Sequence, residues 1–462
     1  MQVALIVACA MFMQNLDSTI IVTALPAMAR SFATNASRVS EGITAYALAA
    51  AVCIPASAWL ADRIGARTLF CAAIALFTVS SMLCGLAGGF AGFIAARLVQ
   101  GGSAAMMSPV GRMIVLRNTG KSELMQTLST LVWPALLAPV IGPALGGFIT
   151  GALSWRWIFY VNLPIGVAAI ALVLAVIPQH KSEKRAAFDT RGFVLLALAV
   201  GCLTYGLDLL GGEHPQVPLA LGLFGAALAA GFAAVRHLEG AAEPLIRIDV
   251  LHKREFRVAT ITGGGLSRAA ISATPFLLPM MLELAFGYSP LEAGVLLLIY
   301  MLANLLMKAV TNPIIRRFGL RRVLVVNGAI TAVGIAACAG ITPALPKTLM
   351  VLILLGAGAS RSLQFTAMMF TTFADVTPEE RAPASVLFSL TQQIAMAAGV
   401  AAAALMLNFT RLLRHSAALT AFDFRAAMVL MGGLGALAVI AYARLPHDTG
   451  AEVSGHRRIT AS

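Results

Sequence analysis

The sequence predicts an all-α polytopic membrane protein of about fourteen transmembrane helices, and three observations predict it. Of the 462 residues, 59% are hydrophobic and 11% charged, against roughly a quarter charged in an ordinary soluble domain. Apolar runs of about 20 residues, the length a helix needs to cross a bilayer, recur from one end of the chain to the other. Most of the 33 Lys and Arg residues fall in short loops on one side of those runs, the positive-inside pattern. The net charge of +13 therefore reports orientation and excludes a nucleic-acid partner. The intervals between runs leave no room for a separate nucleotide-binding or catalytic domain.

Helices are predicted at residues 3–26, 41–61, 69–88, 91–116, 124–150 and 158–178. The polar stretch QHKSEKRAAFDTR intervenes, two further spans follow at 192–210 and 218–237, and a second charged segment covers 237–257. Six more are predicted at 258–283, 291–313, 323–342, 349–374, 385–408 and 425–444. The organisation is a six-helix bundle over 1–178, two linker helices with cytoplasmic connectors over 179–257, a second six-helix bundle over 258–444, and a cytoplasmic tail over 445–462. An even number of crossings puts both termini on the basic, cytoplasmic side. The start, MQVALIVACAMFM, lacks a basic flank and runs past leader length, so it reads as the first helix. One echo relates the two halves: DRIGARTL from Asp62 and RRFGLRRV from Arg316 each follow the second helix of a six-helix unit.

The polar residues inside apolar spans are the candidate machinery. Asp17 is the one acid placed deep in a span; Glu41, Asp208, Glu283, Glu292 and Asp375 fall near helix ends. Counting from a helix end at Pro26, Asp17 lies roughly 13 Å below the outer boundary, and Arg97, counted from Phe90, lies roughly 10 Å below it. The two charges can share one level and pair. A guanidinium at that depth otherwise faces a cavity or snorkels to the interface. After Arg97 come Gln100 and Gly101, in a run of small residues that lets helices approach closely. In the loop after the second helix, Asp62, Arg63, Gly65 and Arg67 combine an acid suited to a helix start, arginines able to ion-pair across the loop, and a glycine for a tight turn. The fifth span carries APVIGPALGG, with Pro139, Gly142, Pro143, Gly146 and Gly147 as kinking and packing positions. Trp155, Trp157 and Tyr160 suggest an interfacial aromatic belt.

These strings together resemble the major facilitator superfamily, and within it the fourteen-helix drug:proton antiporters of the EmrB/QacA type. LDSTIIVTALP is similar to that family's first-helix signature, with Thr23 where Asn is usual, and WLADRIGARTL to its loop signature, with Ala58 for Gly. RLVQGG resembles an Arg-x-x-Gln-Gly motif associated there with proton transfer. The Gly-Pro-x-x-Gly-Gly spacing resembles the motif that sets exporters apart from importers, with Ala138 and Ser129 replacing two upstream glycines. SWRWIFYVNLPIG, FDTRG and GYSPLEAG complete the likeness. The resemblance implies the major facilitator fold, two six-helix bundles plus two central helices, in the bacterial inner membrane. It also implies proton-coupled export of amphiphilic drug-like compounds by alternating access. Export of an endogenous metabolite or a lipid, or a non-transporting sensor, stands as the alternative.

Arg112, Arg268, Arg361 and Gln364 are candidate cavity residues, where uncompensated cations would suit an anionic or zwitterionic substrate or act as conformational locks. The six cysteines lie inside apolar runs without metal-ligand spacing, so neither a disulfide nor a metal site is expected. With no Walker loop, nucleophile set or cofactor motif in the sequence, no enzymatic activity is expected and the proton gradient is the expected energy source. Expected partners are a small-molecule substrate, protons and membrane lipid; a periplasmic adaptor is not legible in the sequence.

Overall fold

The computed structural model describes residues 2–451 apart from 35, 118, 120–122, 180–186, 212–215 and 417. The described residues form helices and connecting turns, with no strand among them. The first six helices are α1 (Gln2–Ser31), α2 (Arg38–Ile64), α3 (Ala66–Leu86), α4 (Phe90–Arg117), α5 (Leu124–Ala152) and α6 (Trp157–Val176). Two more follow, α7 (Thr190–Gly211) and α8 (Val217–Gly240). Then come α9 (254–285), containing π-turns at Val258–Thr262 and Met281–Ala285, and α10, a pair of segments, Pro290–Leu306 and Lys308–Phe318, bent by 48°. The last four are α11 (Leu320–Cys338), α12 (Lys347–Ala374), α13 (Arg381–Leu413) and α14 (Ala421–Ala443).

Ten of these helices are long and apolar enough to cross a membrane, or eleven with the bent pair counted as one span. α4 and α9 carry Arg97, Arg112 and Arg268 among glycines and serines and are correspondingly less apolar. Two expectations need correction. α1 does not stop near Pro26 but continues to Ser31, because a proline removes only its own N–H from the ladder and a long membrane helix absorbs that loss. α10 is not one straight span, since it breaks at Met307, between the two segments. The polar residues 180–186, most of the first connector, and the tail beyond 451 lie outside the described residues.

The same pairings recur in both halves of the chain. α1 packs on α5, α2 and α3 on α4, and α3 on α6; correspondingly α9 packs on α13, α10 and α11 on α12, and α11 on α14. Close approach depends on glycine in equivalent places. A Cβ on Gly101 of α4 would overlap the carbonyl of Tyr46 in α2, and one on Gly358 of α12 would overlap the carbonyl of Tyr300 in α10. Gly65 and Gly319, at the echoed loops, take φ of 91° and 75°, a left-handed backbone that a side chain would strain. α7 packs against α2 on one side and α13 on the other, and α8 packs against α7.

The apolar core is divided by level. One cluster joins both halves at the end that carries the two arginine-rich loops, including Leu116 and Leu128 with Phe370 and Phe388. At the opposite end there are two separate clusters, one with Ile20 and Phe159 and the other with Leu278 and Phe424. The halves are therefore closed on each other at the arginine-rich end. Polar contacts cross there as well. Arg112 Nη1 donates to Ser389 Oγ at 3.0 Å and to the Ser385 carbonyl at 3.4 Å. Arg381 donates to the Leu116 carbonyl, and Ser129 Oγ to Asn312 Oδ1 at 3.0 Å.

Asp189, just before α7, ties the linker helices together. Its carboxylate accepts the Gly192 N–H at 2.8 Å and the Leu245 N–H at 3.2 Å, and meets His237 Nε2 at 2.8 Å. Burial pushes its carboxyl up, but the donors from Gly192, His237 and Leu245 outweigh it and hold the group below the usual range. A depressed value means the contribution is present above the unfolded value of about 4 and is lost as pH falls through the folded one. Amide exchange at Gly192 and Leu245, corrected for intrinsic rate, is expected to stay slow at neutral pH and to quicken below about pH 4. Asp189→Asn is expected to quicken it already at pH 7, and unchanged exchange in that variant would show that the carboxylate holds nothing. Gly101→Ala is expected to lower thermal stability in detergent by about 1–3 kcal/mol, because the obstacle is backbone. Gly147→Ala, where a Cβ meets open space, is expected to change it by no more than about 0.5 kcal/mol.

Candidate functional site

Three helices bring their polar side chains to one point in the first half. α1 supplies Asp17, α4 supplies Arg97 and Gln100 three residues apart on one face, and α6 supplies Asn162 just past its first turn. Arg97 Nη1 lies 2.7 Å from Asp17 Oδ2, and the two side chains are 0% and 1% exposed. Gln100 Nε2 donates to Asp17 Oδ1 at 2.9 Å while its Oε1 accepts from Arg97 Nη1 at 2.7 Å. Asn162 Nδ2 donates to Asp17 Oδ1 at 3.1 Å and to Ser81 Oγ at 2.9 Å. Three donors on three side chains thus satisfy one carboxylate.

The arginine is held as closely. Its Nε donates to the Gly42 carbonyl at 3.1 Å, and its guanidinium stands 4.4 Å from the centre of the Tyr46 ring. Gly101 explains the second contact, because its missing side chain is what lets the Tyr46 backbone approach α4. Along α1, Asp17 stands between Met13, in the core cluster of the closed end, and Ile20, in the cluster of the other end. Burying two charges costs several kcal/mol per ion unless pairing and hydrogen bonds are near complete. Removing either charge upsets that balance, so the packing of α1, α4 and α6 at this level is tied to the pair.

The other predicted positions fall into separate places. Asp62 lies in the last turn of α2, not at a helix start, and pairs with Arg117 at the end of α4 at 3.1 Å rather than with an arginine of its own loop. The loop is too short to fold back, and the negative end of α2 favours a cation from outside. Both partners are over a third exposed or nearly so, and such pairs contribute about 0–1 kcal/mol, which makes this one easy to part. Arg63 stands over the Trp59 ring and Arg67 Nη2 donates to the Leu174 carbonyl at 2.6 Å. In α5, Gly142 lies against Thr19 of α1 and Gly146 against Ile20 and Thr23, whereas Gly147 faces open space. The side chains of Pro139 and Pro143 lie outside the described residues.

Arg112 sits in the seam between α4 and α13. Arg268 is enclosed within the second half, donating to the carbonyls of Ala259 and Thr260. Gln364 is shut between α11 and α12, accepting from Asn327 Nδ2 at 3.0 Å. Arg361 stands over the rings of Tyr300 and Phe365. Trp155 does not join an interfacial belt: the short α5–α6 turn tucks it edge-on against Phe32 and Phe159, leaving it 4% exposed, while Trp157 is 51% exposed. Among the described residues no cluster of His, Cys, Asp or Glu is placed to hold a metal ion.

Sequence reasoning gave no role to Asn162, Tyr46 or Arg117. Asn162 had a usable signal, since it lies five residues below Trp157 on a helix entering from the same boundary as α4. Tyr46 and Arg117 had none.

The profile of the Major Facilitator Superfamily matches residues 7–240 and 260–461. The "Putative multidrug resistance protein MdtD" of Klebsiella pneumoniae (strain 342) is 34% identical over 460 residues, covering 98% of this chain and 96% of that one. The protein of the same name from Serratia proteamaculans (strain 568) is 34% identical over 459 residues, covering 96% and 93%. Among solved structures, the proton:xylose symporter XylE bound to 6-bromo-6-deoxy-D-glucose superposes with a TM-score of 0.68 at 14% identity, covering 98% of each chain. That likeness concerns the fold.

A thermal-unfolding cycle in detergent tests the buried centre. Arg97→Gln strands the Asp17 carboxylate and is expected to cost about 3–5 kcal/mol. Adding Asp17→Asn to it should recover part of the loss, and strictly additive losses would show that the two groups are not coupled.

Proposed function

The chain is a multi-pass membrane protein of the major facilitator superfamily, and on that premise we propose that it exports amphiphilic drug-like compounds across the bacterial inner membrane in exchange for protons, by alternating access. The observation that carries this reading is the buried Asp17–Arg97 pair at 2.7 Å, completed by Gln100 and Asn162. The name of the two relatives, multidrug resistance protein, supports the substrate class.

In this reading residues 1–178 and 258–444 are the two bundles that rock, and residues 179–257 are the linker beside them. Both termini lie in the cytoplasm, so the arginine-rich end, where the halves are closed, faces inward. A proton arriving from outside neutralises Asp17 and frees Arg97 from its counter-charge. The centre then loses its reason to hold α1, α4 and α6 in their present register. Substrate competes for the deprotonated state, and exchange follows because each ligand stabilises a different arrangement of the same helices. Asp62–Arg117, with Gly65 at the turn, serves as a weak latch at the inner end, and Gly142 and Gly146 shape the α1–α5 contact along which the first bundle flexes. The proton gradient supplies the energy, with no cofactor.

Asp17→Asn is expected to abolish proton-driven efflux of lipophilic test compounds from inverted vesicles while leaving the amount of protein in the membrane unchanged. Retained proton-coupled transport by that variant would remove Asp17 from the mechanism.

A further inference from the structure

The two halves handle buried charge differently. In the first, Asp17 compensates Arg97. In the second, α9 and α12 pack on their neighbours as α1 and α4 do, yet they carry Arg268 and Arg361, and α10 adds the buried Lys308. The acidic residues between 258 and 444 are Glu283, Glu292, Asp375, Glu379, Glu380 and Asp423, and all lie at helix ends or in turns. Arg268 is 1% exposed, its Nη1 meets only two backbone carbonyls at 3.2 Å, and its Nε has no hydrogen-bond partner. Arg112 is 7% exposed and approaches the same place from the first half, with Ser385 and Ser389 of α13 as its hydrogen-bond partners. The two guanidiniums lie against one ring, that of Phe388, at 4.5 and 4.9 Å from its centre. Among the described residues neither is paired with a carboxylate.

We propose that Arg112 and Arg268, which share the Phe388 ring, form the subsite that takes the charged group of an amphiphilic organic anion. Carbonyls, a hydroxyl and a phenyl face solvate a guanidinium locally but leave its net charge uncompensated, which is costly inside a membrane protein. A carboxylate or sulfonate removes that cost for both arginines at once and matches their fork of donors. The hydrogen-bond partners of Arg112 all belong to α13, on the far side of the seam, so parting the halves at this end strips them away. The charge is then offered to a ligand where it had been offered to the other half. The Phe388 ring, released from the same contact, presents an apolar face to the body of the compound. A latch alone would need Arg112 only. Arg268 does not cross the seam, and its unpaired Nε is left for something else.

The subsite rests on the export reading for the direction in which the anion travels, not for whether it binds. The test is therefore equilibrium binding to the purified full chain at about 150 mM salt, an ionic strength at which exposed charges are screened within about 8 Å, and without a proton gradient. The probes are naphthalene-2-sulfonate and its cationic counterpart, 2-naphthyltrimethylammonium. The unmutated protein is expected to prefer the sulfonate by at least about tenfold, a single well-formed charge contact. Arg112→Gln and Arg268→Gln are each expected to erase that preference, while Arg247→Gln, on an exposed connector, leaves it intact. Equal binding of the two probes, preference for the cation, or sulfonate binding that survives both glutamine variants overturns the assignment. The comparison of probes on the unmutated protein stands even if a variant fails to fold. Proton-coupled transport of cations alone would sink this subsite and leave the export reading standing, whereas coupling that survives Asp17→Asn would do the reverse.

Discussion

A carboxylate and a guanidinium held 2.7 Å apart in an almost fully enclosed space set the terms for the first half of this protein. In water such a pair is worth little, but where solvent is excluded each charge is tolerable only because the other is present. That requirement fixes the height of α1 against α4, and Gln100 and Asn162 extend it to α6. Gly101 and Gly146 follow from it, because α2 and α5 must come close enough to close the space around the pair.

The class of the molecule was legible because twenty apolar residues in a row leave a chain little alternative to a membrane. Asp17 and Arg97 were also legible as partners, although α1 runs five residues past the proline from which its depth was counted. Counting along a helix gives height, and height was enough to match two charges. It does not give rotation. Whether Tyr46 of α2 turns toward Arg97 depends on how the helix is rolled, and a helix surrounded by apolar neighbours writes no clear stripe in its sequence. Arg117 was hidden for a related reason, since its meeting with Asp62 depends on how the ends of α2 and α4 lie side by side. Trp155 was misplaced because an aromatic residue near a helix entry reads the same whether it faces lipid or folds under the turn.

The two halves share a packing plan but not a charge plan. Equivalent pairings, equivalent tyrosine–glycine contacts and equivalent left-handed glycines make them copies in backbone. Their interiors diverge, since the first half pairs its buried Arg97 with an acid while the second encloses Arg268 and Lys308 with no such partner among the described residues. A backbone repeat constrains where helices can approach each other, and it leaves the residues between them free to specialise, so the two inherited interiors can take up different tasks.

Lying against α2 and α13 together, α7 stands in the doorway between the halves on one flank of the molecule. On the opposite flank α5 and α10 contact each other directly. The seam between the halves is thus flanked unequally, covered by α7 on one side and closed by α5 against α10 on the other.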